Sequence, residues 1–562
     1  MKRMLISTKV QAVAGTLVLG ASVAVAALSA GPALARQHAQ AAAAGTLVME
    51  SSPVGASTGF NPFQPHSNAY TVGSVSLIYE PLFQENLAHP ANAPYPFLAT
   101  HYAWGDKGKS ITFTIRQGVK WSDGTAFSAA DVAFTYNLLK ANPSISGIGS
   151  PIKSVTQSGD KVTLTFPTAQ YANFQAIATA VFIVPQHIWS SAGNPATYLD
   201  SSPVGTGPYV VKSFDTSGIV MTKNPNYWGG PFGGKGPAVQ TVEFPALPSN
   251  TNALTNLITG SVQWSGNFLP GFAQATKGKG VVNYSPPGNT NAFWPNLGQW
   301  PTNNLAVRQA ISDAIDRTTI GTQGEAGLEA PATSAGGLTL PTFQPFLASG
   351  VAKLDTHANA KAAGKVLKAA GFTKSGKYWA LKGKIVKLSI TDPSSYSDYK
   401  ADDILAASEL QKAGIDATFV GQGQTQWQDD VATGNFQLTQ HWGATAAAPY
   451  QEYNNWLSSS LATKTNRSGN FEGLKSKAVD QMLAKAAAAS TLAQQRAALA
   501  PLQKYVAQNL PVIPTVYGAS WGQFSTTGFT GWPTPGGTNQ YESAQPSAPT
   551  NEVVVLHLQP KG

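Results

Sequence analysis

The stretch that decides the fold is Pro203–Gly230, which reads PVGTGPYVVKSFDTSGIVMTKNPNYWGG. Gly205 and Gly207 can adopt a positive φ, and the proline after them has a fixed φ, so the sequence predicts a tight turn. Two short strands are expected after this turn, Tyr209 to Phe214 and Ile219 to Lys223. The stretch ends in a polar, aromatic corner, and its residues give no indication of catalysis.

The same stretch resembles the GTGPY…NPxYWGG signature of the family 5 extracellular solute-binding proteins, the capture components of ABC importers for peptides, nickel and oligosaccharides. Four further segments resemble motifs of that family and occur along the chain at Tyr79–Leu82 (YEPL), Ile111–Tyr136, Ala306–Ile320 (AVRQAISDAIDRTTI) and Leu510–Pro514 (LPVIP). Five ordered matches are far more specific than any single motif. On this basis the chain is identified as a member of the family.

The resemblance implies an α/β protein with the bilobal periplasmic-binding-protein fold (type II, cluster C) and an extra β-rich domain. It implies a domain I made of residues 46–75, 205–305 and 516–562, a domain II of residues 76–204 and a domain III of residues 306–515. The chain would then cross between the lobes more than once. These crossings are expected to form the hinge about which the lobes close on a ligand.

Local patterns predict individual elements. Ser128 is placed to cap an amphipathic helix from Ala129 to Lys140, and Val162–Phe166 alternates as a half-buried strand should. The first strand is expected at Thr46 to Glu50 and the last at Val553 to Leu558. After Trp300, helices alternate with strands as in a βαβ lobe. The predicted helices are 304–320, 359–370, 400–413 and 472–508, and the predicted strands include Val386 to Ile390 and Asp416 to Val420.

The chain has 562 residues, a length that corresponds to two or three domains. Charged residues make up only 12%, about half the usual share. The net charge of +9 comes from lysines that are spread singly, so a nucleic-acid partner is not expected. A weakly charged surface suits an external medium of high salt or of low pH.

Residues 1–35 are predicted to be a signal peptide. Three basic residues lie among the first nine, Val10–Ala30 is apolar, and Ala33–Ala35 has the A-x-A form of a cleavage site. Cleavage would remove three positive charges, leave a net charge of +6 (9 − 3), and expose Arg36 at the start of a low-complexity spacer, 36–45. The apolar stretch is long enough that an uncleaved membrane anchor is the alternative.

The chain contains no cysteine, which excludes disulfides, thiolate metal sites and thiol nucleophiles. It also excludes a lipoprotein tethered through a cysteine. We therefore expect an exported protein that is periplasmic, extracellular or associated with the cell surface.

One motif points to a different class of protein. Gly518–Gly522 (GASWG) matches the nucleophile elbow G-x-S-x-G, and Glu542 and His557 follow in hydrolase order. The elbow requires a helix directly after the serine, and the residues that follow Ser520 are not helical in pattern. A second match around Ser57 has the same weakness. A secreted serine hydrolase using Ser520 is the alternative function, and no catalytic residue is predicted.

Cofactor and metal motifs are equally weak. Gly229–Lys235 (GGPFGGK) lacks the Ser or Thr that follows the lysine of a phosphate loop. The eight histidines are scattered, without an H-x-x-x-H pair. Asp402–Asp403 and Asp429–Asp430 are neighbours in sequence, and neighbours on a helix point apart, so both pairs are predicted to be surface groups. No cofactor and no metal are expected.

Tryptophan gives the stronger signal, with thirteen in the chain. Four of them lie among small or polar residues, where a flat ring edged by amides and hydroxyls suits a sugar ring or a peptide plane. The alternative for each is a partly buried filler of the core. The predicted ligand-binding residues are Trp442, Gly443, Ala444, Trp264, Asn267, Trp294 and Trp521.

One departure from the family pattern bears on the ligand. Peptide binders of the family often carry an aspartate after a W-x-x-D-Y-type sequence, where it pairs with the free amino group. The matching segment here, His441–Tyr450, contains no acid, and a buried ammonium without a counter-charge is costly. The segments Trp264–Asn267 and Gly531–Thr534 resemble the branch that includes cellobiose and oligosaccharide binders, although longer-peptide binders share such sequences.

The sequence thus predicts a monomeric solute-binding component that captures a short oligomer and delivers it to an ABC permease without chemistry. Oligosaccharide and oligopeptide both remain open as ligands, with a slight preference for a neutral oligosaccharide.

Overall fold

The structure is a computed structural model that describes residues 45–51, 58–64, 67–89, 92–246, 252–463, 467–534 and 543–561. The predicted signal peptide, Ser57 and Glu542 lie outside these ranges, as does all of the spacer except Gly45. None of the helices within them combines the length and apolar character that a membrane span needs.

The first sheet contains the signature stretch. Its strands lie in the spatial order Thr46–Val48, Thr241–Pro245, Gly218–Lys223 and Tyr209–Asp215. The first pair is parallel and the others are antiparallel, and both strands predicted after the turn are confirmed. A bridge from Met49 to Trp264 leads to a small antiparallel sheet of Trp264–Ser265, Gln523–Ser525 and Val281–Asn283.

A second four-stranded sheet is antiparallel throughout, in the order Ala99–Gly105, Ser110–Ile115, Lys161–Thr165 and Ser154–Ser158. The helix Ala129–Ala141 packs against it, and Val132 and Leu139 share its core. Ser128 caps this helix as predicted. Its hydroxyl accepts from the Ala130 amide at 3.2 Å, and its own amide donates to Asp131 at 2.9 Å.

The third sheet has six strands, in the order Ala330–Pro331, Ile513–Ala519, Pro287–Pro295, Leu438–His441, Lys387–Pro393 and Asp416–Gln422. The last two are parallel and are joined by the helix Ser397–Ala413, which forms the predicted βαβ unit. The predicted helix 472–508 is divided into Lys477–Ala487 and Leu492–Asn509.

The remaining elements are shorter or peripheral. The other α-helices are Asn68–Thr71, Val75–Ile78, Gln186–Trp189, Ala253–Thr259, Phe272–Ala275, Leu305–Ala314, Arg317–Thr319, Ala360–Ala369, Gln424–Thr433 and Pro449–Leu457. The other strands are Phe83–Gln84, Tyr95–Pro96, Thr373–Ser375, Tyr378–Leu381, Lys384–Ile385, Phe529–Thr530 and Gln559–Pro560.

The C-terminal element corrects the sequence prediction. Residues Thr550–His557 form a helix, not the strand expected at Val553 to Leu558. Every residue from Thr550 to Leu556 is buried, so the helix has no polar face from which its period could be read. Three successive valines favour a strand by propensity, but tertiary contacts override it: Glu552 accepts a hydrogen bond from the Gln84 amide at 2.6 Å.

The structure also gives a different reason for the glycines at the turn near Gly205. Neither Gly205 nor Gly207 has a positive φ, so that prediction is wrong. Glycine is required because the backbone passes against the Ile78 carbonyl oxygen, which would lie 1.7 Å from a Cβ atom at position 205. The amide of Gly207 donates to the same oxygen at 2.9 Å. The signature glycines therefore serve close packing of two chain segments.

The five motifs form two groups, and the members of each group contact one another. In the first group, the Asn226 side chain of the aromatic corner donates to the Ser122 carbonyl of Ile111–Tyr136 at 3.0 Å. Glu80 of YEPL accepts hydrogen bonds from the Trp228 indole at 2.8 Å and from the Tyr227 hydroxyl at 3.2 Å, both in the aromatic corner. In the other half of the molecule, Arg317 donates to the Pro514 carbonyl at 2.8 Å. Arg308 donates to the Leu510 carbonyl at 3.1 Å. The motifs are therefore structural, and the ligand site must be sought elsewhere.

Candidate functional site

A cleft of about 500 Å³ lies among residues that are distant in sequence. It is lined by Gly266–Phe268, by Gly518, Ala519 and Trp521, and by the first turn of the helix Ser397–Ala413 together with Trp442. The strand Pro287–Pro295 lies between the strands Ile513–Ala519 and Leu438–His441 in the six-stranded sheet. The remaining lining residues are Asn289, Asn291, Glu329, Ser395, Tyr396, Thr445 and Gln545.

Trp442 is the aromatic side chain that the cleft presents most openly. It follows the strand Leu438–His441, and it is 43% exposed although it is large and apolar. The His441 ring supports it at a centroid distance of 4.1 Å, and Tyr399 lies 6.5 Å away. A supported but exposed indole is suited to stack on a flat ligand.

Asn289 and Asn291 were missed by the sequence analysis. They are two residues apart on one strand and therefore lie on the same face of it. The side-chain oxygen of Asn289 accepts from the Gly443 backbone amide at 3.2 Å, and the side-chain NH₂ of Asn289 donates to the Thr445 hydroxyl at 3.2 Å. Polar residues at i and i+2 in a buried strand are the signal that could have identified them.

Glu329 was also missed. It lines the cleft although it is only 5% exposed. Its carboxyl oxygens accept from the Ala519 amide at 2.7 Å and from the Asn291 side chain at 2.9 Å. Burial, followed by the nearby carboxyl of Glu325, raises the pKa of Glu329 well above its usual range.

Trp521 and Asn267 also line the cleft. Trp521 packs edge-on against Phe268 at a centroid distance of 5.8 Å, and both rings border the cleft. The Asn267 backbone carbonyl accepts from the Gln523 amide at 3.0 Å, which fixes this segment to the small sheet. Trp442, Trp521 and Asn267 are thus brought together, and their role in binding stays a prediction.

The structure corrects the ligand-binding role predicted for Trp264 and Trp294, because both side chains are fully buried. The Trp264 indole donates to the Ala544 carbonyl at 2.5 Å, and its ring lies edge-on to Trp532 at 5.3 Å. Trp294 packs on Phe471 at 5.0 Å. Neither ring reaches the cleft, so the cleft role predicted for them is wrong, and the alternative of core fillers is right.

Gly443 and Ala444 line a second chamber of about 720 Å³, which shares Trp442 and Thr445 with the cleft. A Cβ atom at position 443 would lie 2.3 Å from a carboxyl oxygen of Glu452, so the chain passes against that buried acid. His441 also lines this chamber. Burial lowers the pKa of His441 to about 4, so its imidazole is uncharged at neutral pH.

The structure also corrects the prediction that the neighbouring aspartates are surface groups. Asp402 and Asp403 are both fully buried, although they were predicted to be surface groups. The helix that carries them is enclosed on two sides, since Asp402 accepts from the Gln440 side chain at 2.8 Å while Gly324 packs against its carboxyl. Asp430 is also buried and accepts from the Gln422 side chain at 2.7 Å.

Ser520 lacks the setting of a nucleophile elbow. It is 6% exposed, and its amide donates to the Pro286 carbonyl at 2.8 Å. The chain continues into the strand Gln523–Ser525, where the elbow would require a helix. His557 closes the C-terminal helix, where its ring contacts Phe232 at 4.4 Å. Within the described ranges, no three His, Asp or Glu side chains are arranged to hold a metal ion.

Comparisons with known proteins agree with this geometry. The sequence profile of the bacterial extracellular solute-binding proteins, family 5 Middle, matches residues 93–464, more than half of the chain. The chain is 25% identical over 494 residues to the probable peptide-binding protein YejA of Agrobacterium fabrum, covering 79% of this chain and 80% of that protein. It is 27% identical over 410 residues to the nickel-binding periplasmic protein of Escherichia coli, covering 68% and 74%.

Among solved structures, a periplasmic oligopeptide-binding protein of Thermotoga maritima with bound mannohexaose matches with a TM-score of 0.81 at 25% identity. The match covers 92% of this chain and 99% of that one. The oligopeptide-binding protein AppA of Bacillus subtilis, in complex with a nonapeptide, shares the fold with a TM-score of 0.75 at 18% identity, covering 92% and 99%.

The family match and the fold define a transport binding protein and not an enzyme. The chain belongs to the family 5 extracellular solute-binding proteins, has their bilobal α/β fold, and is the solute-binding component of an ABC importer. Members of this family act outside the cytoplasm.

Proposed function

We propose that the protein captures a short, uncharged oligomer in the cleft and delivers it to its permease, with a slight preference for oligosaccharide over oligopeptide. The observation that carries this proposal is the exposed Trp442 ring, which faces a wall rich in neutral amides and hydroxyls. Stacking on such a ring contributes on the order of 1 kcal/mol beyond the area it buries. Side-chain amides satisfy hydroxyl groups in both directions, as donors and as acceptors.

The charge of the cleft supports the same conclusion. The segment His441–Tyr450 contains no carboxylate that could pair with a free amino group. Two carboxyls do line the cleft, Glu329 and Asp398, and burial raises the pKa of each. Both oxygens of Glu329 already accept hydrogen bonds from protein groups. Since burial favours the neutral form of both carboxyls, a buried ammonium group would gain no ready counter-charge there, and that loss is costly.

A longer oligopeptide held through its backbone is the second candidate. It is favoured by YejA, which is described as a probable peptide-binding protein. The Thermotoga maritima neighbour is named an oligopeptide-binding protein although its structure contains mannohexaose. Amides and aromatic rings suit a peptide plane as well as a sugar ring, so titration with both ligand classes is needed.

The expected mechanism is capture, closure and docking of the closed form on the permease. Residues that are distant in sequence would contact the ligand together, because Trp521 and Trp442 line the same cleft. We expect a monomer, exported by the predicted signal peptide, with the predicted domain boundaries marking the crossings at which the lobes rotate.

Native mass spectrometry of the purified protein, followed by titration calorimetry with mannohexaose, cellohexaose and tetraalanine, tests this proposal. Trp442→Ala should weaken binding about tenfold or more, a loss of about 1.4 kcal/mol. Trp104→Ala is the matched control, since Trp104 is half-buried on a different sheet and does not line the cleft. Binding of the peptide alone would overturn the sugar preference. Unchanged affinity in Trp442→Ala would show that the cleft is not the ligand site.

A further inference from the structure

Six carboxyl groups cluster at one wall of the cleft, two of them lining the cavity and four buried behind these. Glu329 and Asp398 line the cavity, and Glu325 and Asp402 lie within hydrogen-bonding distance of each other behind them. A second pair, Asp392 and Asp403, is in similar contact. All except Asp398 are at most 5% exposed. We call the set Glu325, Glu329, Asp392, Asp398, Asp402 and Asp403 the acid wall.

The contacts within the acid wall require protons. Two ionised carboxylates repel each other, whereas a carboxyl and a carboxylate share one hydrogen bond. No N–H or hydroxyl donor of the described residues reaches either oxygen of Glu325 or of Asp403, and each side chain is at least 99% buried. The hydrogen-bonding partners that remain for these oxygens are the neighbouring carboxyls of Asp402 and Asp392.

Among the residues that the structure describes, no cation compensates the acid wall. The helix Ser397–Ala413 faces it with Asp398, Tyr399, Asp402 and Asp403, and its lysines, Lys400 and Lys412, are exposed. The segment before Ala330–Pro331 contributes Glu325 and Glu329, and the strand Lys387–Pro393 contributes Asp392. The neighbouring strands add a neutral amide at Gln440, the uncharged His441 and the backbone of Ala519.

The whole described part of the chain shows the same scarcity of ion pairs. The only two ion pairs among the described residues each join a histidine to an aspartate. They are His187 with Asp123 at 2.7 Å and His357 with Asp316 at 3.5 Å. A buried carboxylate without a cation takes up a proton instead of bearing the cost of an isolated charge. In agreement, burial raises the pKa of Glu325 to about 8, and those of Asp392, Asp402 and Asp403 well above their usual range.

We propose that the acid wall is a proton-loaded part of the ligand site, in which neutral carboxyl groups, Glu329 foremost, donate hydrogen bonds to oxygen atoms of an uncharged ligand in an acidic medium. Ionisation of the wall as the medium becomes alkaline releases these protons to water and weakens binding. This inference rests on the proposed function, and it adds a regulation of that site by external pH.

The geometry at Glu329 shows why the proton matters. Its two oxygens accept from Ala519 and Asn291, so the carboxyl plane is fixed toward the cleft. Each oxygen has a second lone pair, and a proton there turns an acceptor into a donor. An uncharged ligand rich in hydroxyl or carbonyl oxygen can accept that bond. The ionised group would place an unpaired charge against the same ligand.

The first experiment is calorimetric titration of the full chain with mannohexaose and with tetraalanine, from about pH 4 to about pH 10. The wild-type affinity should fall about tenfold or more across this range. Glu329→Gln should keep the affinity seen in acid and lose its pH dependence, because the amide copies the neutral acid. Glu329→Ala should bind weakly throughout. A wild-type affinity that is constant or rises with pH would overturn the inference, and a rise would indicate a cationic ligand held by ionised carboxylates.

The second experiment needs no ligand. Infrared spectroscopy of the full chain at about pH 6, where an ordinary carboxyl is ionised, should show the C=O band of protonated carboxyl groups. Asp402→Asn and Glu325→Gln should each reduce this band, whereas Asp215→Asn should not, because the pKa of the fully exposed Asp215 is lowered by hydrogen bonds from Ser217. A spectrum without the band would overturn the inference. If both variants reduce the band but neither ligand binds at any pH, the proposed function fails and the proton-loaded wall stands.

Discussion

Glu452 offers a sharp test of how buried acids control the stability of this protein. It lies on the helix Pro449–Leu457, away from the acid wall, and is 2% exposed. One carboxyl oxygen accepts from the Thr290 amide at 2.8 Å, and the other lies 2.9 Å from the Thr339 hydroxyl. Gln in its place has the same shape, and its NH₂ group can donate to Thr339 as the protonated acid would.

The magnitude follows from the pKa of Glu452 in the two states. Burial raises its pKa from 4.5 to about 8. The native state then holds a proton that the unfolded state loses between these values, so the free energy of unfolding falls as pH rises through this window. From pH 4.5 to pH 7 the loss is about 3 kcal/mol, because each pH unit corresponds to about 1.4 kcal/mol. Below the unfolded pKa the contribution is fully present.

Denaturant titration of the wild type and of Glu452→Gln at about pH 4 and about pH 7 measures this difference. We expect Glu452→Gln to reduce the loss of stability between the two pH values by about 3 kcal/mol, with similar stability in acid. Asp215→Asn is the control, since Asp215 is fully exposed and hydrogen bonds from Ser217 lower its pKa below this window. An equal pH dependence in Glu452→Gln and in the wild type would refute the reasoning.

Three further predictions concern Trp264, Gly205 and Ser520. Trp264→Ala should lower the free energy of unfolding by about 3–5 kcal/mol in a denaturant titration, because it leaves a cavity in the core, while the folded fraction keeps its ligand affinity. Gly205→Ala should abolish folded protein in size-exclusion chromatography, because its Cβ would lie 1.7 Å from the Ile78 oxygen. Gly423→Ala should be tolerated in the same assay, since nothing lies near position 423. Ser520→Ala should leave ligand binding unchanged, and ester, glycoside and peptide hydrolysis assays should show no turnover that this substitution removes.

The fold could be predicted from the sequence because its signature motifs fix one another. The bonds from Glu80 to the aromatic corner, and from Arg317 to Pro514, join motifs that lie far apart in the sequence. The helix Ala129–Ala141 was predicted well because Ser128 marks its start through a capping box with Asp131. The C-terminal helix was missed because it is buried on every side, and its identity depends on contacts such as that of Glu552 with Gln84.

The site was predicted less completely than the fold. Trp442 stands in a polar segment and is exposed, so local context identified it as a cleft residue. Trp264 stands in an equally polar segment, yet Trp532 and Ala544 from the distant C-terminal region cover it. Local sequence does not contain that information. The burial of Asp402 has the same origin, since Gln440 and Gly324 enclose it from two other elements.

The low share of charged residues is compatible with two external media for this protein, one of high salt and one of low pH. The buried acids discriminate between these two media. Salt screens the interactions of surface charges, with a Debye length of about 8–10 Å at moderate ionic strength. It supplies no proton to a buried carboxyl. Glu325, Glu452 and Glu472 are at most 2% exposed and form no ion pair with any described residue. Each is neutral at no cost in a medium below its ordinary pKa, and each opposes folding more strongly as pH rises. The arrangement therefore favours an acidic exterior as the setting in which this protein folds and binds.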